Sequence, residues 1–226
     1  MCGRFTLIRP RAEIAETFGV DVPAVDPRYN IAPTQQVLVI KQEDSRVAAL
    51  MRWGLVPSWS SSPREGPPLI NARAETVEEK PAFRAAFRKR RCLVPADGFF
   101  EWKAEGRDKR PHYFTRSDGS LFAFAALWER WQGEAGVIES VAVLTTEANE
   151  LVRPCHDRMP VILGRDAQLL WLDNGAGCDA AALRELLRPY SASEMTVRLA
   201  GKAVGSPKNE GPQCLDPADP AQATLF

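Results

Sequence analysis

No stretch of this 226-residue chain stays apolar for anything near the roughly 20 residues that cross a bilayer. The opening MCGRFTLIRPR also lacks the apolar core of a secretion signal, so neither a membrane nor an export route is expected. Neither a Walker loop nor a GxGxxG turn is present, which counts against nucleotide-cofactor folds. Histidine is scarce, with two copies, and none of the five cysteines (Cys2, Cys92, Cys155, Cys178, Cys214) sits in a CxxC or Cys/His cluster of zinc-ligand spacing. A structural metal and a bound cofactor are therefore not expected. The odd cysteine count argues against a disulfide framework and for a reducing, cytoplasmic setting. Formal net charge is zero, which argues against a protein that coats nucleic acid by bulk electrostatics but leaves room for a local basic groove. Internal repeats and low-complexity tracts are absent.

What the chain does have is an apolar content of 45%, enough for a packed core in a single domain of ordinary size. Eighteen prolines and fifteen glycines imply short elements and many turns. A helix is expected over 10–18, opened by Pro10 and closed by Gly19, with Ile14 and Phe18 on one face. Strands are expected at 37–42 and 46–55, followed by a long loop at 56–68 and a helix at 81–90 with Pro81 first. The run 91–103 reads as one strand, and 112–116 with 121–128 as a hairpin about the SDGS turn. Segments 140–145 and 160–163 read as a strand pair, 166–173 and 179–189 as helices, and 195–199 as a strand. This pattern predicts an α+β single domain with a central antiparallel, barrel-like β-sheet flanked by short helices. The domain is expected to span 1–206, with a proline-rich C-terminal loop and tail at 207–226.

Cys2 has an option that no internal cysteine has. Met1 is removable when the next residue is small, and the exposed Cys2 then carries an amine and a thiol on adjacent carbons. An α-amino group titrates near 7.7–8.0 against about 10.4 for lysine, so its nucleophilic fraction at neutral pH is roughly several hundred times larger. Such an amine condenses with an aldehyde to an imine, and the neighbouring thiol can close on the same carbon to a five-membered thiazolidine. Position alone leaves an incidental cysteine as an equal alternative. The adjacent Gly3 permits close approach of backbone to a ligand, and Arg4 could hold a phosphate.

Other polar residues have unusual surroundings. His156 lies in a proline-bounded turn between two strands, where a scaffolded loop can carry a catalytic group, although a lone histidine is more often structural. Glu101, within Phe99-Phe100-Glu101-Trp102, is either turned to solvent by strand alternation or buried and raised in pKa, which suits proton transfer. Asn71 could orient a substrate or cap a turn, and Arg73 offers a second phosphate contact. The basic spots at 84–91 and 107–110 read as solvated charge.

Together, MCGRF, RYNIAPTQ (28–35), MRWGLVPSW (51–59), INARAET (70–76), RCLVPADGFFEWK (91–103), HDRMPVIL (156–163) and VGSPKNEG (204–211) resemble the SRAP family, named for SOS response-associated peptidases, whose members shield abasic sites. The resemblance implies the family's fold and a partner, single-stranded DNA containing abasic sites. It implies that Cys2 is the nucleophile that ends in a thiazolidine with the sugar C1′ aldehyde. Glu101 would shuttle protons, His156 would assist as a second acid or base, and Asn71 would position the amine and the sugar. Arg4, Arg73 and Arg158 would be phosphate contacts, with Asn30 and Pro33 near the same mouth. A monomer is expected, cytoplasmic and nucleoid-associated when bound to damaged DNA. One departure concerns the loop at 56–60: family members can carry two adjacent tryptophans there as an apolar wedge, whereas here Trp59 is followed by Ser60. Stacking is worth about 1–3 kcal/mol per base, so junction preference is in question.

Two other readings compete. Cys2 as thiolate and His156 as base would make a thiol hydrolase or autopeptidase. A non-covalent DNA-binding module finds little support in zero net charge and no recognition-helix motif.

Overall fold

The computed structural model describes residues 2–63, 66–134, 136–174 and 179–217. The first half of the chain comprises β1 (Phe5–Leu7), α1 (Arg11–Phe18), β2 (Arg28–Ile31), β3 (Gln36–Gln42), β4 (Arg46–Trp53), β5 (Asn71–Arg73) and α2 (Arg84–Lys89). Next come β6 (Arg91–Ala96), β7 (Gly98–Glu105), β8 (Asp108–Arg116), β9 (Phe122–Gly133) and β10 (Gly136–Glu147). The remainder adds β11 (Arg158–Pro160), β12 (Ile162–Leu163), α3 (Arg165–Leu172), α4 (Ala180–Glu185) and β13 (Met195–Leu199).

Strands β4, β3, β6, β9 and β10 close a ring, because β10 pairs with β9 on one side and with β4 on the other. Closure removes exposed edges, and the inward residues Val39, Trp53, Val94, Phe124 and Val141 are fully buried. The second sheet runs β13-β8-β7-β1-β2 and is antiparallel throughout. The α+β, barrel-like fold expected from the sequence is therefore the fold of the chain.

Several expectations change. The run 91–103 is two strands, because at Asp97 the chain leaves the barrel for the second sheet. The SDGS segment is not a hairpin: β8 pairs with β7 and β13, whereas β9 pairs with β6, β10 and β12. Asp118 accepts from the Ser120 amide and from Arg116, and Gly119 takes φ 68°, so the turn chemistry is present but serves a crossover. Within 160–163 only Pro160 belongs to a strand paired with β10; Ile162 and Leu163 cross to β9. The helix after Pro81 begins at Arg84, and α4 stops at Glu185. The helix at 11–18 ends at Gly19 in the left-handed region as expected. The short β1, β2 and β5 gave no periodic signal, since three or four residues cannot show one.

Residues 207–217 form a loop and a single 3-10 turn in which Cys214 is buried beside Phe100, Tyr113 and Val204. Residues 218–226 of the expected tail, and Cys178, lie outside the described residues.

Three contacts fix β1. Phe5 sits edge-on to Trp53 at 5.2 Å and to Phe124 at 5.6 Å, plugging the N-terminal strand into the barrel. Thr6 donates to Asp97, whose second oxygen accepts from the Ile8 and Arg9 amides. Gly98, opposite Thr6, leaves space for the Tyr113 ring, which reaches the Thr6 hydroxyl at 2.9 Å. A Cβ on Gly98 would meet that ring at 2.3 Å. Gly98→Ala is expected to destabilise the protein by about 1–3 kcal/mol through overpacking, read as a lower urea midpoint at unchanged slope.

Candidate active site

The site forms where the start of the chain, running ahead of β1, passes between the second sheet and the barrel. Phe5 pairs with Phe99, and the Phe100 amide donates to the Arg4 carbonyl at 2.9 Å. Ahead of Arg4, Cys2 lies near enough to Glu101 for the carboxylate's charge to act on its thiol. From the barrel side, β5 pairs in parallel with β10, setting Asn71 opposite Val143 and Arg73 opposite Thr145. Asn71 donates from Nδ2 to the Cys2 carbonyl at 2.8 Å and so clamps the chain end from across the cleft. Its Oδ1, and Oγ1 of Thr145 two residues along the same face, are buried with no hydrogen-bond partner among the described residues. Buried acceptors in that condition are uncommon, and a polar ligand would satisfy them.

Cys2 is fully buried. Burial pushes its thiol well above the ordinary range, and the neighbouring Glu101 carboxylate pushes the same way. This is the opposite of the depressed pKa that a thiolate nucleophile requires, so the arrangement with Met1 attached disfavours a thiol hydrolase. Glu101 is 4% exposed, and burial raises its carboxyl to about 7. Of the two readings the sequence left open, the buried, raised one is the one the strand adopts. A carboxyl titrating there can both give and take a proton near neutrality.

His156 ends the turn between β10 and β11, its amide bonded to the Val152 carbonyl. Its Nδ1 lies 3.0 Å from the Arg158 amide and 2.8 Å from an Asp157 carboxylate oxygen. These are alternative roles, because accepting from an amide needs a bare nitrogen and pairing with Asp157 needs a protonated one. Burial lowers the ring's pKa, so near neutral pH the imidazole is neutral, with one nitrogen protonated and one bare.

The expected phosphate contacts differ in how free they are. Arg73 is exposed. Arg4 is half-buried, donating to Asn30 Oδ1 at 2.7 Å and to the Val204 carbonyl at 2.6 Å, with its guanidinium 5.5 Å from the Trp102 ring centre. Asn30 is buried, its amide nitrogen spent on the Ser206 and Asn209 carbonyls, so it acts by holding Arg4. Arg158 makes a two-pronged pair with Glu75 at 2.6 and 2.9 Å. Pro33 is half-buried next to Thr34, which adopts φ 72°, a left-handed conformation for a β-branched residue. Trp59 is 67% exposed and, with Thr34 and Arg52, lines a cleft of about 440 Å³. A larger cleft of about 800 Å³ is lined by Glu75, Glu78, Glu79 and Glu147 together with Arg184 and Arg188. Sequence reading missed Glu75 and the Thr6–Asp97–Tyr113 cluster. The acidic residue in INARAET was a visible signal, but its partner lies 83 positions away. Among the described residues no group of three or more His, Cys, Asp or Glu side chains could hold a metal ion, and no helix is long and apolar enough to cross a membrane.

The chain is similar over most of its length to known proteins. The chain matches the family model for SOS response associated peptidase (SRAP) over residues 1–207. It is 41% identical over 224 residues to the abasic site processing protein YoqW of Bacillus subtilis (strain 168), covering 96% of this chain and 99% of that protein. The abasic site processing protein YedK of Escherichia coli (strain K12) is 31% identical over 226 residues, covering 96% and 100%. The abasic site processing protein HMCES of Xenopus tropicalis is 32% identical over 228 residues, covering 86% and 67%. A crystal structure of a protein from Bacteroides thetaiotaomicron superposes with a TM-score of 0.87 at 26% identity, covering 96% of this chain and 100% of that one.

Glu101 has a sign-definite effect on stability. Its carboxyl titrates near 7 folded and near 4.5 unfolded, so between those pH values the folded state binds more protons and rising pH destabilises it. Glu101→Gln is expected to match the wild type at pH 4.5 and below, and to gain on it as pH climbs to 7. Above that the gain levels off, at most about 3 kcal/mol. Urea denaturation at pH 4.5, 6 and 8 measures this, and an equal gain at all three pH values would refute the assignment.

Proposed function

The chain belongs to the SRAP family, and from that premise we propose that it processes abasic sites in DNA by trapping them covalently on Cys2 in single-stranded substrate. The observation that supports this most is the meeting of Cys2 with a buried carboxyl of pKa about 7 and with the Asn71 amide, at a chain end anchored on both sides.

The proposed reaction begins with removal of Met1, which frees the Cys2 amine. In the closed abasic sugar the bond from C1′ to the ring oxygen breaks. The ring oxygen gains a proton, the C1′ hydroxyl loses one, and an aldehyde is left. Glu101, able to exchange a proton near neutral pH, supplies that transfer. The amine nitrogen then adds to C1′, and water leaves to give an imine. Finally Sγ of Cys2 bonds to C1′ while the thiol proton passes to nitrogen, closing the thiazolidine. The sum is aldehyde plus Cys2 giving ring plus one water, with no oxidant or reductant. A thiol kept protonated by burial suits this order, because the amine attacks first and the thiol only closes a ring already formed on one side.

Asn71 positions the amine through the Cys2 carbonyl, and its free Oδ1 can accept from the amine or a sugar hydroxyl. His156, neutral near pH 7, assists as the second acid or base and helps govern reversal. Arg73, Arg4 and Arg158 provide the cationic rim, and Trp59 a stacking surface. The single tryptophan of this loop stacks one base where two would hold two.

Incubation with a single-stranded oligonucleotide carrying one abasic site is expected to give a denaturation-resistant adduct whose mass equals protein without Met1 plus oligonucleotide minus water. Cys2→Ala and Cys2→Ser both keep the α-amine and lack the thiol, so each should form only a species that borohydride must trap. Asn71→Ala should slow adduct formation by about 10-fold or more, as expected when a reacting group is left unpositioned. No adduct with the Met1-free wild type would overturn the proposal.

A further inference from the structure

Glu75 stands in a position the proposed reaction does not explain. It lies in the 3-10 turn Ala74–Thr76 that follows β5 directly, so one short segment delivers Asn71 to Cys2, Arg73 to the surface and Glu75 to Arg158. Both carboxylate oxygens engage Arg158, at 2.6 Å from Nη1 and 2.9 Å from Nη2. The guanidinium is only 14% exposed and is braced further by the Thr145 carbonyl at 2.6 Å, whereas Glu75 is 52% exposed. The arginine is thus fixed and the acid is the removable partner. Arg73 also acts on the Glu75 carboxylate, which together with Arg158 lowers its pKa. One exposed anion is therefore held by Arg158 with planar, two-pronged geometry, and Arg73, two residues before it, adds positive charge nearby. A phosphodiester asks for the same arrangement.

We propose that Glu75 is a built-in stand-in for a DNA backbone phosphate: it holds Arg158 ready in the free protein and is displaced when a phosphate of the single strand docks between Arg158 and Arg73. This inference rests on the DNA-trapping reading above and adds a specificity-determining residue to it. The consequence is discrimination. Every strand that binds must first break the Glu75–Arg158 pair, which weakens encounter with undamaged DNA, while a strand with an abasic site is retained by the covalent bond. Arg158 also offers its backbone amide to His156 Nδ1, so keeping the arginine in place keeps the imidazole oriented between encounters.

The test is equilibrium binding of an undamaged single-stranded oligonucleotide to Glu75→Gln, an isosteric change that removes the charge. The expected result is binding about 3- to 10-fold tighter than wild type, with a log–log salt slope steeper by about one counterion. Glu78→Gln controls for the loss of any acidic charge, since Glu78 lies on the same segment but pairs with Arg184 at 3.0 Å. It should shift affinity by less than about 2-fold. In an Arg158→Ala background the gain from Glu75→Gln should largely vanish, a coupling that a double-mutant cycle reads directly. Thermal melting of each variant shows whether it is folded, and Glu75→Asp, which keeps the charge, should bind like wild type. Weaker binding by Glu75→Gln would make Glu75 a mere support for Arg158 and overturn the proposal, as would equal gains from Glu75→Gln and Glu78→Gln. The abasic-site adduct separates the two levels: if wild type forms it and the binding gain is absent, only the stand-in role fails. If no adduct forms, the DNA-trapping reading fails and takes this inference with it.

Discussion

Everything at this site depends on holding a chain terminus still. Ends of chains fray, and ordering each residue costs about 1–2 kcal/mol of backbone entropy. Here the terminus is tied by unlike interactions along its length. Phe5 is buried against Trp53 and Phe124, a burial worth about 1.5–3 kcal/mol. Asp97 collects the Thr6 hydroxyl and two backbone amides, Arg4 reaches Asn30 and Val204, and Asn71 seizes the Cys2 carbonyl. Loss of any one tie would let Cys2 swing relative to Glu101, and a proton-transfer group works only within hydrogen-bond reach.

The barrel supplies the other half of the constraint. β10 is paired along its length with β9, β4, β5 and β11, so it cannot shift without breaking the ring. Asn71, Arg73 and Arg158 all hang from strands registered on it. The site is thus a seam: Cys2 and Glu101 lie on the side of the second sheet, whereas Asn71, His156, Arg73 and Arg158 lie on that of the barrel. Water exclusion follows from the same seam, and it both raises Glu101 to about 7 and keeps the thiol protonated.

Much of this was legible in sequence, and the reasons differ by residue. Gly19 after Ile14 and Phe18 marks a helix end by itself, because the left-handed conformation has a short list of candidates. Glu101 among aromatics left two outcomes, since alternation offers such a residue only solvent or burial, and the packing decided for burial. The SDGS turn misled, because turn chemistry fixes a reversal of the chain but not which sheet receives the next strand. Arg158 and Glu75 are each visible, yet no local pattern links residues so far apart in the chain.

The sequence by itself determined the chemistry available to the protein. A cysteine at position 2 can offer an amine and a thiol together, the pattern of short apolar runs and helical segments points to an α+β domain, and seven ordered motifs resemble a family whose fold is implied with them. These are local or one-dimensional properties, readable without coordinates. Tertiary structure alone decided which groups meet and in what state. Burial sets the protonation of Cys2 and Glu101, strand pairing carries Asn71 to the Cys2 carbonyl, and ring closure delivers Glu75 to Arg158. Distance and desolvation are properties of the folded packing, and they turn a reactive terminus into a site.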